Sequence, residues 1–258
     1  MYDKYWELIS KTKKIAVVYI IITIIASLLV KWFTIQVPSG TPLSMEHIKA
    51  MLPQIIETIV MIAVCLPVTG FVLEHLFDSE KKDVMYYLKG WFLQDLIFTL
   101  LVSVIVVGLL VIGVKTQHIF IALLLCAIAG IIYIKFVFYI KMAIHENISV
   151  FRSLDESWKR VGFGRAIKAW LYTLLSALPF IIVASIITAV ATHAFGYGKP
   201  DASQGITLAI TFITETIRSI GAWFAALVIY VHYWQLLIDE GNIATPVNNQ
   251  NPIGKPVE

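Results

Sequence analysis

The sequence predicts an all-α protein: a polytopic transmembrane bundle of six helices, with amphipathic interfacial helices along its cytoplasmic face. Three observations lead there. Apolar side chains make up 59% of the 258 residues and charged ones only 14%, against about 25% charged in soluble domains. Mean hydropathy is +0.81. The apolar residues are gathered into runs long enough to cross a hydrocarbon core, which takes about 20 residues. A soluble chain of this length has to keep its surface wetted and has no place for such runs. A soluble enzyme, a secreted disulfide scaffold and a disordered chain are therefore excluded.

The predicted spans cover residues 15–35, 55–76, 91–114, 118–141, 166–192 and 213–238, within one membrane domain at 1–242. Residues 243–258, rich in Pro, Asn and Gln, read as a flexible cytoplasmic tail. In lipid only helices and closed barrels satisfy their own backbone. Barrel strands would alternate over about ten residues, and these runs do not. Lys11, Lys13 and Lys14 precede the first run as they would in a signal peptide. The residues after that run, Lys31-Trp32-Phe33-Thr34, offer no small-x-small cleavage site, so it is read as an uncleaved span. Pro67 with Gly70 in span two, and Pro179 in span five, are the places where helices are expected to bend. The final run, 206–238, would be about 50 Å long as one helix, against a core of about 30 Å. Residues 206–213 are therefore expected to lie apart as an outer surface helix.

Orientation follows from the basic residues. Lys4, Lys11, Lys13 and Lys14 precede span one, and Lys81, Lys82 and Lys89 separate spans two and three. Lys141, Arg152, Lys159, Arg160, Arg165 and Lys168 cluster between spans four and five. The opposite side holds only Lys31, Lys49, Lys115 and Lys199. Both termini are therefore expected in the cytoplasm.

Each odd-numbered span is preceded by a stretch with helical amphipathic spacing: 2–13, 79–90 and 147–163. In the third, Ile148, Phe151, Leu154, Trp158 and Val161 share one face, with Arg152, Asp155, Glu156, Lys159 and Arg160 on the others. Asn147 is the expected N-cap, Gly162 and Gly164 the expected stop, and Gly90 the expected break after the second stretch. Such helices lie in the headgroup layer. Arg152, Trp158, Lys159 and Arg160 are the candidate interfacial contacts. The arrangement reads as three copies of one unit: surface helix, span, outer turn, span.

Ionisable groups inside spans are functional candidates because they are costly there. Glu57, Glu215 and Arg218 all fall toward the outer side and form a candidate intramembrane polar cluster. The bland alternative is that Glu215 and Arg218 pair locally at i, i+3. Asp95 lies one turn inside span three, where it can meet a basic neighbour; Lys135 can snorkel, and His232 sits near the inner end of span six. Cys65 and Cys126 are both inside apolar runs and read as packing residues. With the histidines scattered, no metal site is expected. No cofactor loop and no catalytic motif is present, and a net charge of +3 gives no reason to expect nucleic acid.

Residues 139–165, YIKMAIHENISVFRSLDESWKRVGFGR, carry a family resemblance. A span ends in a short acidic-polar step at Glu146-Asn147; a surface helix comes next, with Ser153, Ser157, Trp158 and Lys159, and then another span begins. This pattern resembles a group of bacterial six-helix membrane proteins. The group includes uncharacterised cytoplasmic-membrane proteins and the membrane domain fused to some glycerophosphodiester phosphodiesterases. A Pro-Gly turn common before the fourth span in that group is replaced here by Ile112-Gly113-Val114. The resemblance implies the six-span architecture. It brings no catalytic residues, and the phosphodiesterase domain is missing.

The function expected from these readings is non-enzymatic. It is that of a membrane accessory protein, either a partner of another membrane protein or a factor protecting the bilayer against membrane-active peptides. Its partners would be anionic lipid headgroups at the cytoplasmic face. The alternative is a small-solute or lipid transporter or channel subunit that uses Glu57, Glu215 and Arg218.

Overall fold

A computed structural model of the protein describes residues 2–33, 45–115, 120, 124, 129–130, 132, 134–197 and 203–242. Among the described residues it has seven helices, α1 (Tyr2–Phe33), α2 (Met45–Phe77), α3 (Val84–Lys115), α4 (Tyr139–His145), α5 (Val150–Arg160), α6 (Phe163–Phe195) and α7 (Gln204–Asp239), and no strand. Among the same residues five helical segments are long and apolar enough to cross a membrane: Asp3–Val30, Ile55–Phe77, Val84–Ile105, Phe163–Phe195 and Gln204–Asp239. The chain is thus an all-helical, multi-pass membrane protein. Most of the predicted fourth span, 118–141, lies outside the described residues, as do Cys126 and the tail 243–258.

The long helices are longer than the spans predicted from the sequence. α1 has 32 residues, α2 33, α3 32, α6 33 and α7 36, or about 48–54 Å each. Each outruns a hydrocarbon core of about 30 Å. The stretches 2–13 and 79–90 are expected as separate surface helices; 2–13 instead opens α1, and 84–90 of the second stretch opens α3. The reason is packing. Leu8 and Thr12 in α1, and Tyr87 and Trp91 in α3, are buried against the bundle. Gly90 does not break α3, because an interior glycine costs only about 1 kcal/mol relative to alanine and the nearby Tyr87 and Trp91 are buried. Residues 206–213 are likewise no separate outer helix. They continue into α7, where Ile210, Thr211 and Thr214 are buried and Tyr197 hydrogen-bonds Thr211 at 3.3 Å.

α7 is the central post: it packs along α6, along α1 and against α2. Gly221 lets α6 approach, since a Cβ there would stand 2.6 Å from the Phe180 Cβ. The core is unevenly distributed. Its fully buried large side chains include Leu8, Leu66, Phe138, Met142, Tyr233 and Leu236. These come from the start of α1, the second half of α2, α4 and its flank, and the last turns of α7, all at the lysine-rich end. Away from that end the helices present Val18, Ile25, Val104, Ile186 and Val190 outward, as a surface facing lipid requires.

Three helices that end at the basic end finish in the same way. After α2, Asp78 adopts φ 48 and the Ser79 amide bonds the Glu74 carbonyl; after α4, Asn147 adopts φ 53 and the Ile148 amide bonds the Ala143 carbonyl. After α7, Gly241 adopts φ 75 and the Asn242 amide bonds the Leu237 carbonyl. Each is a Schellman closure that satisfies helix-end carbonyls. Asn147 is therefore the terminator of α4 and not the N-cap of α5. That cap is Ser149, whose Oγ accepts the Arg152 amide at 3.2 Å. α5 ends at Arg160, before Gly162, which instead N-caps α6.

Gly221→Ala is expected to drive apart the α6–α7 contact at Phe180, lowering unfolding stability in detergent by about 1–3 kcal/mol. Gly164→Ala, which meets open space, is the matched control and leaves the thermal midpoint within a degree or two, of order 0.5 kcal/mol.

Candidate functional site

The basic end is where the described polar groups converge. An ion-pair rim ties the helix ends together. Lys11 of α1 reaches Asp78 beyond α2 at 3.2 Å while pairing with Glu7 at 2.8 Å. Arg160 of α5 grips both oxygens of Glu240 at 3.1 and 2.6 Å, and its other nitrogen meets Glu146 at 2.5 Å. Arg165 of α6 pairs with Asp239 of α7 at 2.5 Å. Carboxylates at helix C-termini oppose the local dipole, so each of these needs the cation it has. The fork of Arg160 suits two acceptors at once.

Under the rim lies Glu74, buried on α2. Its Oε1 accepts the Tyr87 hydroxyl and the Lys82 amide, both at 2.5 Å. Tyr87 reaches it across the notch left by Gly70, where a Cβ would fall 2.2 Å from the ring. His145 stacks on Phe77 with ring centroids 4.2 Å apart, and its Nδ1 lies 3.1 Å from the Tyr233 hydroxyl. Burial holds the His145 imidazole below its ordinary pKa; Glu146 opposes that shift and Arg160 adds to it.

Deeper in, a cavity of about 200 Å³ is lined by Cys65, Thr69, Asp95, Tyr139, Lys141 and Tyr230, among others. Asp95 is 7% exposed and accepts the Tyr139 hydroxyl at 2.8 Å. The Lys141 ammonium lies 5.2 Å from the Tyr230 ring centroid, a cation–π distance. The Tyr230 hydroxyl in turn donates to Thr69 at 2.8 Å. Among the described residues Lys141 has no hydrogen-bond acceptor and forms no ion pair. The two opposite charges thus share one cavity without touching. At about 30 Å³ per water, the space admits a few waters or a solute of about six heavy atoms.

α5 sits beside this cluster as a docked surface helix. Its protein side is small and polar: Val150, Ser153 and Ser157 are buried. α3 holds its start, where Trp91 donates to the Ile148 carbonyl at 2.7 Å and Gln94 accepts the Val150 amide at 2.9 Å. Its end is clamped reciprocally. Ser157 donates to the Lys135 carbonyl at 2.8 Å, and the Lys135 ammonium donates to the Val161 carbonyl. Lys135 is therefore a helix-capping side chain and does not snorkel away. Its carbonyl is free for Ser157 because residues 136–138 form a turn, which falls inside the predicted span 118–141. The outward face carries Phe151, 54% exposed, and Trp158, 48% exposed. Trp158 lies under Lys135 at 5.2 Å.

Of the interfacial residues nominated from sequence, Trp158 and Arg152 are exposed, Lys159 pairs with Asp155, and Arg160 is taken up by the rim. The outer trio divides in two. Glu57 accepts the Ser27 hydroxyl of α1 at 3.1 Å. Arg218 pairs with Glu215 at 2.9 Å, with 51% of its side chain exposed. No described hydrogen bond or ion pair joins Glu57 to the other two. Among the described residues no three His, Cys, Asp or Glu side chains cluster as metal ligands would.

Sequence reasoning singles out Asp95 but places Lys141 in the basic loop. The signal available is its position two residues after Tyr139, inside an apolar stretch. Glu74 reads as an ordinary end-of-helix residue, and nothing local marks Tyr87 as its donor.

Comparison with protein-family models, with curated proteins and with solved structures finds no match for this chain.

Two outcomes test this geometry. Tyr87→Phe leaves the buried Glu74 short of a donor and is expected to cost about 1–3 kcal/mol. The loss should be smaller in a Glu74→Gln background, as read by a double-mutant cycle in detergent. For His145, the unfolded chain takes up a proton near pH 6.5, which the partly desolvated ring resists. Stability is therefore full above about pH 6.5 and falls as pH drops through that value toward the lower folded pKa. Unfolding midpoints measured between pH 7.5 and 5 should show this decline, and His145→Gln should flatten part of it.

Proposed function

We propose that this chain is a non-enzymatic accessory protein of the bacterial cytoplasmic membrane, with six spans, both termini in the cytoplasm, and α5 seated in the anionic headgroup layer. The observation that carries the reading is the two-sidedness of α5. Its serines are spent on the bundle, while Phe151 and Trp158 are left outward with Arg152 and Lys159 beside them. Aromatic rings flanked by basic residues suit the boundary between hydrocarbon and headgroups. The basic end is accordingly the cytoplasmic end. The likeness of residues 139–165 to the six-helix bacterial group agrees with this placement. The accessory role is that of a partner to another membrane protein or a protector of the bilayer.

A second reading, transport of a small solute, is favoured by one observation: the Asp95 and Lys141 charges facing a shared cavity. Carriers place such groups near the membrane midplane. The outer residues Glu57, Glu215 and Arg218 would then belong to the path on the other side.

The test uses purified protein in phosphatidylglycerol-containing vesicles loaded with dye and challenged with a membrane-active cationic peptide. The wild type is expected to slow leakage, and Phe151→Ala with Trp158→Ala to lose most of that protection. Equal leakage with and without the wild-type protein removes the protective role. Uptake of radiolabelled small amino acids that is abolished by Asp95→Asn would establish the transport reading instead.

A further inference from the structure

A crevice of about 520 Å³ opens where α1 and α6 both lean on α7 near the basic end. Its polar lining is made of donors. Tyr5 contributes from α1, Lys168, Tyr172 and Ser176 from α6, and His232 from α7; the Tyr5 and Ser176 hydroxyls already donate to the Phe224 and Thr173 carbonyls, and among the described residues no carboxylate lines the space. His232 is only 4% exposed, and its ring stacks on Tyr172 with centroids 5.6 Å apart. Among the described residues, neither ring nitrogen of His232 and no atom of the Lys168 ammonium has a hydrogen-bond or ion-pair partner. The neighbouring cation, Arg165, is already committed to Asp239. The remaining wall is apolar: Leu175, Val228 and Val231. It leads away from the basic end along faces where Tyr172 and Leu175 are exposed.

Lys168, His232 and the Tyr172 hydroxyl, left without acceptors among the described residues, call for an anion, and an apolar wall running on from them calls for a hydrocarbon tail. Depth agrees with both. Lys168 lies five residues into α6 and His232 seven residues before the end of α7, or about 8 and 10 Å from those ends. That is the level of headgroup and glycerol when the helix ends stand in the interface. At about 30 Å³ per water-sized atom, the volume holds about seventeen heavy atoms. This suffices for a glycerol phosphate and the first methylenes of a chain. Basic pockets between helices at the cytoplasmic side are suited to anionic lipid heads.

We propose that this crevice holds one anionic phospholipid, its phosphate received by Lys168, His232 and the Tyr172 hydroxyl and its acyl chain lying against Leu175, Val228 and Val231. The site deepens the headgroup reading and rests on it only in taking the basic end as the headgroup side. It differs from the α5 surface in holding a single molecule at fixed stoichiometry.

Native mass spectrometry of the full chain, released from nanodiscs of mixed phosphatidylglycerol and phosphatidylcholine, tests it. The wild type is expected to retain one phosphatidylglycerol per chain. Lys168→Gln, a change at an exposed position, should lower that retention at least fivefold with the thermal midpoint unchanged. Tyr172→Phe keeps the stacked ring and should lower it by a smaller factor. Phe151→Ala with Trp158→Ala should leave it intact, so that failure of the α5 reading and failure of this site give different results. Free inorganic phosphate or glycerol 3-phosphate at millimolar concentration should not displace the lipid. Retention that is equal in wild type and Lys168→Gln, or equal for the two lipids, overturns the proposal. Binding of inorganic phosphate with no retained lipid overturns the lipid assignment and leaves a soluble anion as the ligand.

Discussion

Water is available to this protein chiefly at its helix ends, and that constraint organises the rest. Inside hydrocarbon, apolar side chains gain nothing by leaving lipid for one another. Where helices emerge, burial is driven by the hydrophobic effect. The core accordingly collects at the basic end, where Leu8, Phe138, Met142, Tyr233 and Leu236 are closed off. The same end carries most of the described ion pairs and the three Schellman closures. Apolar packing and polar closure are one assembly there: Phe77 belongs to the packed layer and also supports His145.

The long helices obey the same constraint. A stretch that emerges from lipid remains helical when one of its faces finds a partner, and Leu8, Thr12, Tyr87 and Trp91 all do. α5 is the exception. The turn at 136–138 and the closure at Asn147 redirect the chain sharply, so the segment after them has to dock sideways. Its docking face is built of serine hydroxyls and backbone carbonyls, leaving its large rings to the outside.

The all-helical class and the apolar runs are legible in the sequence, because runs of that length have one solution in lipid. The ends of the helices are not. Hydropathy measures the hydrocarbon segment and is silent on how far a helix continues beyond it, which is why 2–13, 79–90 and 206–213 read as separate pieces. Of the apolar face that periodicity predicts for α5, Phe151 and Trp158 are exposed, Ile148 and Leu154 are half-buried and Val161 is buried. The face that meets the protein is instead the one with Ser153 and Ser157, since in a membrane protein the apolar side need not be the inward side. Lys141 and Glu74 escape sequence reasoning because their partners, Tyr230 and Tyr87, are distant in sequence or lie across a glycine notch. Such pairings are tertiary facts with no local signature.

The lysine that closes α5 has a consequence for biogenesis. Lys135 is synthesised 26 residues ahead of the carbonyl it serves. Chains are made from the N-terminus onward, so the terminator for α5 is already in place when that helix leaves the ribosome. The reverse bond, from Ser157 back to the Lys135 carbonyl, then makes the two halves of the latch mutually dependent. An insertion between residues 136 and 149 would separate them, and the segment 150–160 would be left tethered by Trp91 and Gln94 at its start and by the Arg160–Glu240 pair at its end.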